Sequence, residues 1–215
     1  MYPVPTTDIH LSKFRRGKAR FTRYYKIFWV NNIYVGLRHA VAKFQTIFSE
    51  FSITIKDGKD MVRVLFVCLG NICRSPMADG VFQEMVKQAG LGDKIIVDSA
   101  GTSSYHEGQM AHGGTRKVLK KNDIPYNGRS RGLAKSDFAN FDYILAMDES
   151  NLHDIQSRQP AASQATIRLF LDYAEGVDVR EVPDPYYTGG FDYVFGLINA
   201  GCEGLLQAIR TEHNL

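Results

Sequence analysis

From Met61 onward, short apolar runs alternate with segments whose apolar residues recur at helical spacing, and that alternation predicts the architecture. Met61 to Val67 is mostly Val, Leu and Phe with one charge at Arg63, the pattern of a buried strand. Met77, Val81, Phe82, Met85 and Val86 then recur at helical spacing, which predicts a helix over about 76–89. Pro76 suits its first turn, where a missing N–H costs no hydrogen bond. Lys94 to Val97 reads as a second strand, turned by Asp98-Ser99-Ala100-Gly101. A helix near 112–121 stops at Asn122 and Pro125, and Ser136 caps a short one through Ala139. Asp142 to Met147 is a third strand, followed by a helix from Glu149 to Ser157, and Thr166 to Phe170 is a fourth. The last helix, from Gly190 to Thr211, carries an apolar stripe including Phe191, Val194, Ile198, Leu205 and Ile209. Strands joined by helical crossovers predict an α/β fold: a four-stranded parallel sheet with helices on both faces.

The loop after the first strand changes the picture from architecture to chemistry. Cys68-Leu69-Gly70-Asn71-Ile72-Cys73-Arg74-Ser75 runs from the end of that strand to the start of its helix. In open α/β sheets, ligands bind at the carboxyl ends of strands. The N–H groups of such a loop, with a helix N-terminus behind them, suit an anion. Arg74 adds a permanently charged planar fork that takes two phosphate oxygens at once. The same field favours the thiolate form of Cys68, and the thiolate is the nucleophile. The layout suggests attack on phosphorus, with the cradle stabilising the transition state. Spacing alone is weak, because a cysteine six residues before an arginine is common; placement between strand and helix is what gives it weight. A proton donor for the leaving oxygen is also needed. Asp184 lies in Val182-Pro183-Asp184-Pro185-Tyr186-Tyr187, on a stiff segment between two prolines. Alone, that stretch reads better as an ordinary surface turn.

Together the two motifs resemble the low-molecular-weight protein tyrosine phosphatases. The resemblance runs from about Val62 to Ile209. It is carried by Val67-Cys68-Leu69-Gly70-Asn71-Ile72-Cys73-Arg74-Ser75-Pro76, by Asp98-Ser99-Ala100, by Phe141-Asp142-Tyr143-Ile144-Leu145 with Met147-Asp148-Glu149-Ser150-Asn151, and by Asp184-Pro185-Tyr186-Tyr187. It implies Cys68 as nucleophile, Arg74 as phosphate clamp and Asp184 as general acid, then base. It implies that Leu69, Gly70, Asn71, Ile72, Cys73 and Ser75 shape the phosphate site, that Asn71 and Ser75 help activate the thiolate, and that Ser99 supports them. Tyr105 and Tyr186 match aromatic positions beside the cleft. Tyr186 and Tyr187 match a pair phosphorylated in some members, and Cys73 matches a second loop cysteine that forms a reversible disulfide with Cys68. No metal or organic cofactor is implied. Ile72 stands where members acting on phosphoarginine carry threonine, and a bulky apolar residue suits a flat ring, so phosphotyrosine is the expected substrate. The family often places a histidine near Asn122, and Gly101 replaces a common alanine. Other polar residues have plainer readings: His106, His112 and His153 as solvated, Asp148 as a helix N-cap packed near the loop, and Arg129, Arg131 and Lys135 as a solvated basic face.

Composition divides the chain. Of 215 residues with net charge +3, residues 1–60 hold 11 Lys/Arg against 4 Asp/Glu, a net +7. Residues 61–215 hold 15 against 19, a net −4, so only the loop is expected to be locally positive and no nucleic acid is expected there. The expected organisation is a catalytic domain over 61–215 behind a basic, aromatic-rich extension over 1–60. Ile9 to Ser49 contains nine Lys/Arg and no Asp or Glu, and 11 aromatics fall in residues 1–60. Three readings stand: a targeting peptide, an arm for an anionic surface, or an upstream stretch without a folded role, Met61 being a possible start. Three cysteines show no disulfide framework or metal spacing, with Cys202 in an apolar helical pattern. That usage fits a reducing, cytoplasmic setting, and no run is long enough to span a membrane. Two rivals remain. Arsenate reduction would need further relay cysteines, and a phosphate-binding module would need neither nucleophile nor acid.

Overall fold

The computed structural model describes residues 61–215; the expectations for residues 1–60 lie outside the described residues. Four parallel strands form one sheet: β1 (Val62–Cys68), β2 (Ile95–Gly101), β3 (Tyr143–Ala146) and β4 (Thr166–Leu169), in the order β2-β1-β3-β4. The crossovers carry α1 (Arg74–Gln88), then α2 (Gly113–Lys121) and the short α3 (Asp137–Asn140), then α4 (Glu149–Arg158). A 3-10 turn (Phe170–Tyr173), the short α5 (Pro185–Thr188) and the long α6 (Phe191–His213) follow. The strand order matters for function. From β1 the chain steps to β2 on one side, then crosses back to β3 on the other. The direction reverses at β1, and the crevice beyond such a reversal is where this architecture leaves room for a ligand.

The sheet is covered on both faces, and β1 divides its side chains between them at the two-residue period of a strand. Val62, Val64, Phe66 and Cys68 face a core built with Met77, Phe82, Phe170, Ile198 and Cys202. Leu65 and Val67 face a smaller core with Phe138, Ile144, Ile155 and Leu169. Phe66 is fully buried and meets Phe82 and Phe170 edge-on, with ring centroids 5.7 and 5.1 Å apart. Cys202 lies in this core, as its apolar pattern predicts, and burial raises its thiol pKa far above the ordinary value.

The expected elements are present with shifted ends. β2 continues through Asp98–Gly101, which the sequence reads as a turn, because it pairs with β1 as far as Cys68 opposite Gly101. The helix after the loop begins at Arg74 rather than Pro76. The 3-10 turn and α5 had no clear periodic signal, being four residues each. Among the described residues, no helix is long and apolar enough to cross a membrane.

Two glycines of α6 make opposite demands. A Cβ at Gly204 would fall 1.8 Å from the Tyr173 carbonyl oxygen, so this glycine lets the helix sit directly on the 3-10 turn. A Cβ at Gly196 would meet nothing within 4 Å. Alanine favours a helix over glycine at both places, so only contact separates them. In urea titrations of the full chain, Gly196→Ala should stabilise by about 0.5–1 kcal/mol. Gly204→Ala should destabilise by about 1–3 kcal/mol, because the backbones must part.

Candidate active site

The loop between β1 and α1 closes around the Cys68 sulfur. The Asn71 N–H donates to Cys68 Sγ at 3.2 Å, and the Ser75 hydroxyl reaches the same sulfur at 3.1 Å. Ser75 also lies 3.3 Å from the Ala100 carbonyl, at the end of β2, and accepts from the Asn71 side-chain amide at 2.9 Å. Asn71 has φ +51, a left-handed conformation that asparagine tolerates better than most residues. Its turn sends the chain back on itself, which is how one loop can place two donors on one sulfur.

Arg74, at the start of α1, is only 3% exposed. One terminal nitrogen donates to Asp148 and to the Val182 carbonyl, and the other to Asp184 Oδ2 at 2.8 Å. Burial alone would lower the guanidinium pKa, but Cys68, Asp148 and Asp184 outweigh it and the net shift is upward. The arginine Nε is buried and has no partner among the protein groups. It is therefore a free donor on a group whose two terminal nitrogens both already hold protein acceptors.

Cys73 shares the loop but not its environment. Its thiol is pushed up to about 12, by burial first and then by Cys68 and Asp184, with Arg74 acting the other way. It stays a neutral thiol at physiological pH. All three cysteines are free.

Asp184 ends an extended segment and caps α5, its Oδ1 accepting from the Tyr186 N–H at 3.1 Å, with Pro185 in the first helical turn. Asp184, Tyr186 and Tyr187 form one side of a cleft of about 370 Å³ whose floor is Cys68, Leu69, Gly70, Ile72, Cys73 and Arg74. Tyr105 and His106 form the other side, with the tyrosine ring edge-on to the imidazole at 5.0 Å. Leu69, Tyr105 and Tyr186 are exposed at its rim. The cleft thus gathers Cys68, Leu69, Gly70, Ile72, Cys73, Arg74, Tyr105, Asp184 and Tyr186 from the expected set, with Asn71 and Ser75 just behind the sulfur.

Ser99 sits further back. Its hydroxyl donates to Asp79 at 3.0 Å and lies 3.4 Å from the Tyr126 hydroxyl, which itself donates to Asp79 at 2.9 Å. Burial pushes the Asp79 carboxyl up to about 6 despite these donors and Gln83. Gly128 leaves room for the tyrosine, since a Cβ there would fall 2.4 Å from its hydroxyl. The Ser99 hydroxyl is thus turned to Asp79 and Tyr126, and the contact with the loop is made by its neighbour Ala100, whose carbonyl meets the Ser75 hydroxyl.

Several residues near the site carry weaker signals in the sequence. Asp148 caps α4 with Oδ1, as its position predicts, and also takes Arg74 with Oδ2. His112 caps α2 through Nδ1, stacks on Phe191 at 5.1 Å with the rings nearly parallel, and meets Tyr186 at 5.9 Å. Arg131 is no solvated face: its side chain bonds Asp98 and Asp137, and its N–H holds Asn71 Oδ1 at 2.9 Å. Among the described residues, no group of three or more His, Cys, Asp or Glu could hold a metal ion.

Comparison with known proteins places this arrangement. The family model described as low molecular weight phosphotyrosine protein phosphatase matches residues 63–215. The low molecular weight protein-tyrosine-phosphatase YfkJ of Bacillus subtilis is 45% identical over 156 residues, 72% of this chain and all of that one. Its crystal structure covers 71% of this chain and 96% of its own, with a TM-score of 0.68. The low molecular weight phosphotyrosine protein phosphatase of Schizosaccharomyces pombe is 50% identical over 129 residues, 60% of this chain and 83% of that one. A Drosophila arginine phosphatase is 33% identical with a TM-score of 0.65, over 68% of this chain and 97% of that one. The chain therefore belongs to the low molecular weight phosphotyrosine protein phosphatases.

Proposed function

We propose that residues 61–215 form a protein-tyrosine phosphatase domain working through a cysteinyl-phosphate, with Cys68 as nucleophile, Arg74 as phosphate clamp and Asp184 as general acid and base. The observation that carries this reading is the juxtaposition of the twice-bonded Cys68 sulfur with a buried guanidinium whose Nε has no protein partner. A phosphate oxygen satisfies that Nε and places phosphorus over the sulfur. The sulfur attacks, the bond from phosphorus to the tyrosyl oxygen breaks, and Asp184 delivers a proton to that oxygen. Water then attacks the cysteinyl-phosphate, giving its proton to Asp184, and phosphate leaves as the thiolate reforms. Loop N–H groups and Arg74 stabilise the spread charge of both transition states.

The lining of the cleft supports phosphotyrosine. Ile72, Leu69, Tyr105 and Tyr186 offer apolar and aromatic surface for a flat ring. The structural likeness to an arginine phosphatase makes phosphoarginine the substrate to compare. For arsenate reduction, the described thiols beyond the loop are limited to Cys202, which is sealed in the core.

Hydrolysis by the full chain of p-nitrophenyl phosphate, a phosphotyrosine peptide and phosphoarginine tests these roles. Cys68→Ser should reduce turnover to background. Asp184→Ala should lower peptide turnover by about 100-fold or more, and p-nitrophenyl phosphate turnover less, since that leaving group needs little protonation. Phosphoarginine cleaved faster than the peptide would overturn the substrate assignment.

Asp148→Asn isolates the arginine contact, because asparagine caps a helix as well as aspartate. Losing a charge-assisted bond to the buried Arg74 should lower kcat/KM by about 10- to 100-fold, and should also lower the melting temperature, because part of a buried charge loses its acceptor. Alkylation adds an independent check. Since the Cys73 thiol is raised to about 12, iodoacetamide at pH 7 should label Cys68 first, and fragment mass spectrometry of the peptide holding both will show which is modified.

A further inference from the structure

Ser130 lies sixty positions beyond Gly70 of the loop and is buried. Its hydroxyl donates to the Gly70 carbonyl at 3.0 Å. The next residue, Arg131, donates its N–H to the Asn71 side chain at 2.9 Å. This segment is itself firmly anchored. The Gly101 N–H donates to the Arg131 carbonyl and the Leu133 N–H to the Gly101 carbonyl, at 2.9 and 2.8 Å, extending the edge of the sheet beyond β2. The Arg131 side chain spans Asp98 and Asp137.

The geometry of one peptide unit gives that wall a role in the chemistry. The Gly70–Asn71 bond is trans, so its carbonyl and its N–H point in opposite directions. Drawing the carbonyl outward to Ser130 turns the N–H inward, and that N–H is the one that donates to Cys68 Sγ at 3.2 Å. Rotating the unit the other way would aim a carbonyl oxygen at the sulfur and repel a thiolate. Asn71, at φ +51, occupies a sparsely populated backbone region, so the orientation depends on support from outside the loop.

We propose that Ser130 is a positioning residue for the phosphatase reaction: its hydroxyl grips the Gly70 carbonyl and thereby aims the Asn71 N–H at the Cys68 sulfur. The inference rests on Cys68 as the nucleophile. Ser130 is the side chain through which the wall can be tested, because the Arg131 grip is a backbone N–H.

The test compares Ser130→Ala with Ser163→Ala in the full chain. The Ser163 hydroxyl also donates to a carbonyl, that of Phe138, at 3.0 Å, but it holds α3 rather than the loop. Two readouts are taken: the pH profile of iodoacetamide labelling at Cys68, located by fragment mass spectrometry, and kcat/KM on p-nitrophenyl phosphate. Ser130→Ala should move the labelling midpoint to higher pH and lower kcat/KM by about three- to tenfold, the worth of one ordinary hydrogen bond. Ser163→Ala should do neither. A Ser130→Ala profile that overlays the wild type would overturn the proposal, as would an equal shift in both variants, which would reduce Ser130 to packing. Labelling needs no turnover, so a wild-type chain inactive on every phosphate ester would count against the proposed function while leaving this result readable.

Discussion

Arg74 carries a charge that no accessible pH removes, and the fold buries it. Desolvating a guanidinium is costly unless anionic or carbonyl acceptors surround it. Those acceptors come from distant parts of the chain: Asp148 from the end of β3, the Val182 carbonyl and Asp184 from the segment before α5. The requirement to satisfy one arginine therefore draws three loops to the same end of the sheet. The proposed acid and the proposed clamp, Asp184 and Arg74, are adjacent for the same reason. If Asp184 wandered, it would leave part of a buried charge uncompensated.

Behind that electrostatic knot stands the packing that fixes where it forms. Phe66 and its neighbours seat β1 in the larger core, and the strand's alternation puts Cys68 at the edge of that core, where the chain must leave the sheet. The reversal of strand order at β1 opens a crevice at this point. α1 begins within the loop's own residues, so its first N–H groups add a positive field to the same place. Hydrophobic burial thus sets the position of the nucleophile, and hydrogen bonds from the loop set its surroundings.

What could be read from sequence follows the distance between partners. β1, the loop, α1 and the stripe of α6 are local patterns, set by residues within a few turns of each other. Asp184 was visible because prolines on both sides mark a stiff segment. Ser130, Arg131 and the second task of Asp148 were not visible, because each acts on a residue 60 to 74 positions away. The same holds for β2. Asp98-Ser99-Ala100-Gly101 has turn composition, and only the ladder to Leu65, Phe66, Val67 and Cys68 makes it a strand. His112 gave a solvated reading in a glycine-rich stretch, yet a backbone donor and the Phe191 ring give it a capping and stacking role.

Two cysteines on one loop show why environment, rather than residue type, assigns the chemistry. Cys68 and Cys73 are both almost fully buried and five positions apart. Cys68 receives a backbone N–H and a serine hydroxyl, and both donors stabilise charge on sulfur. Cys73 meets desolvation and the negative fields of Cys68 and Asp184, which oppose charge on its own sulfur. Ionising the first therefore makes ionising the second harder. Both sulfurs border the cleft that holds Arg74, but only Cys68 receives two donors there, while Cys73 stays a neutral thiol. A single anionic sulfur is also what the proposed reaction requires, since a second negative charge on the loop would repel a phosphate approaching Arg74.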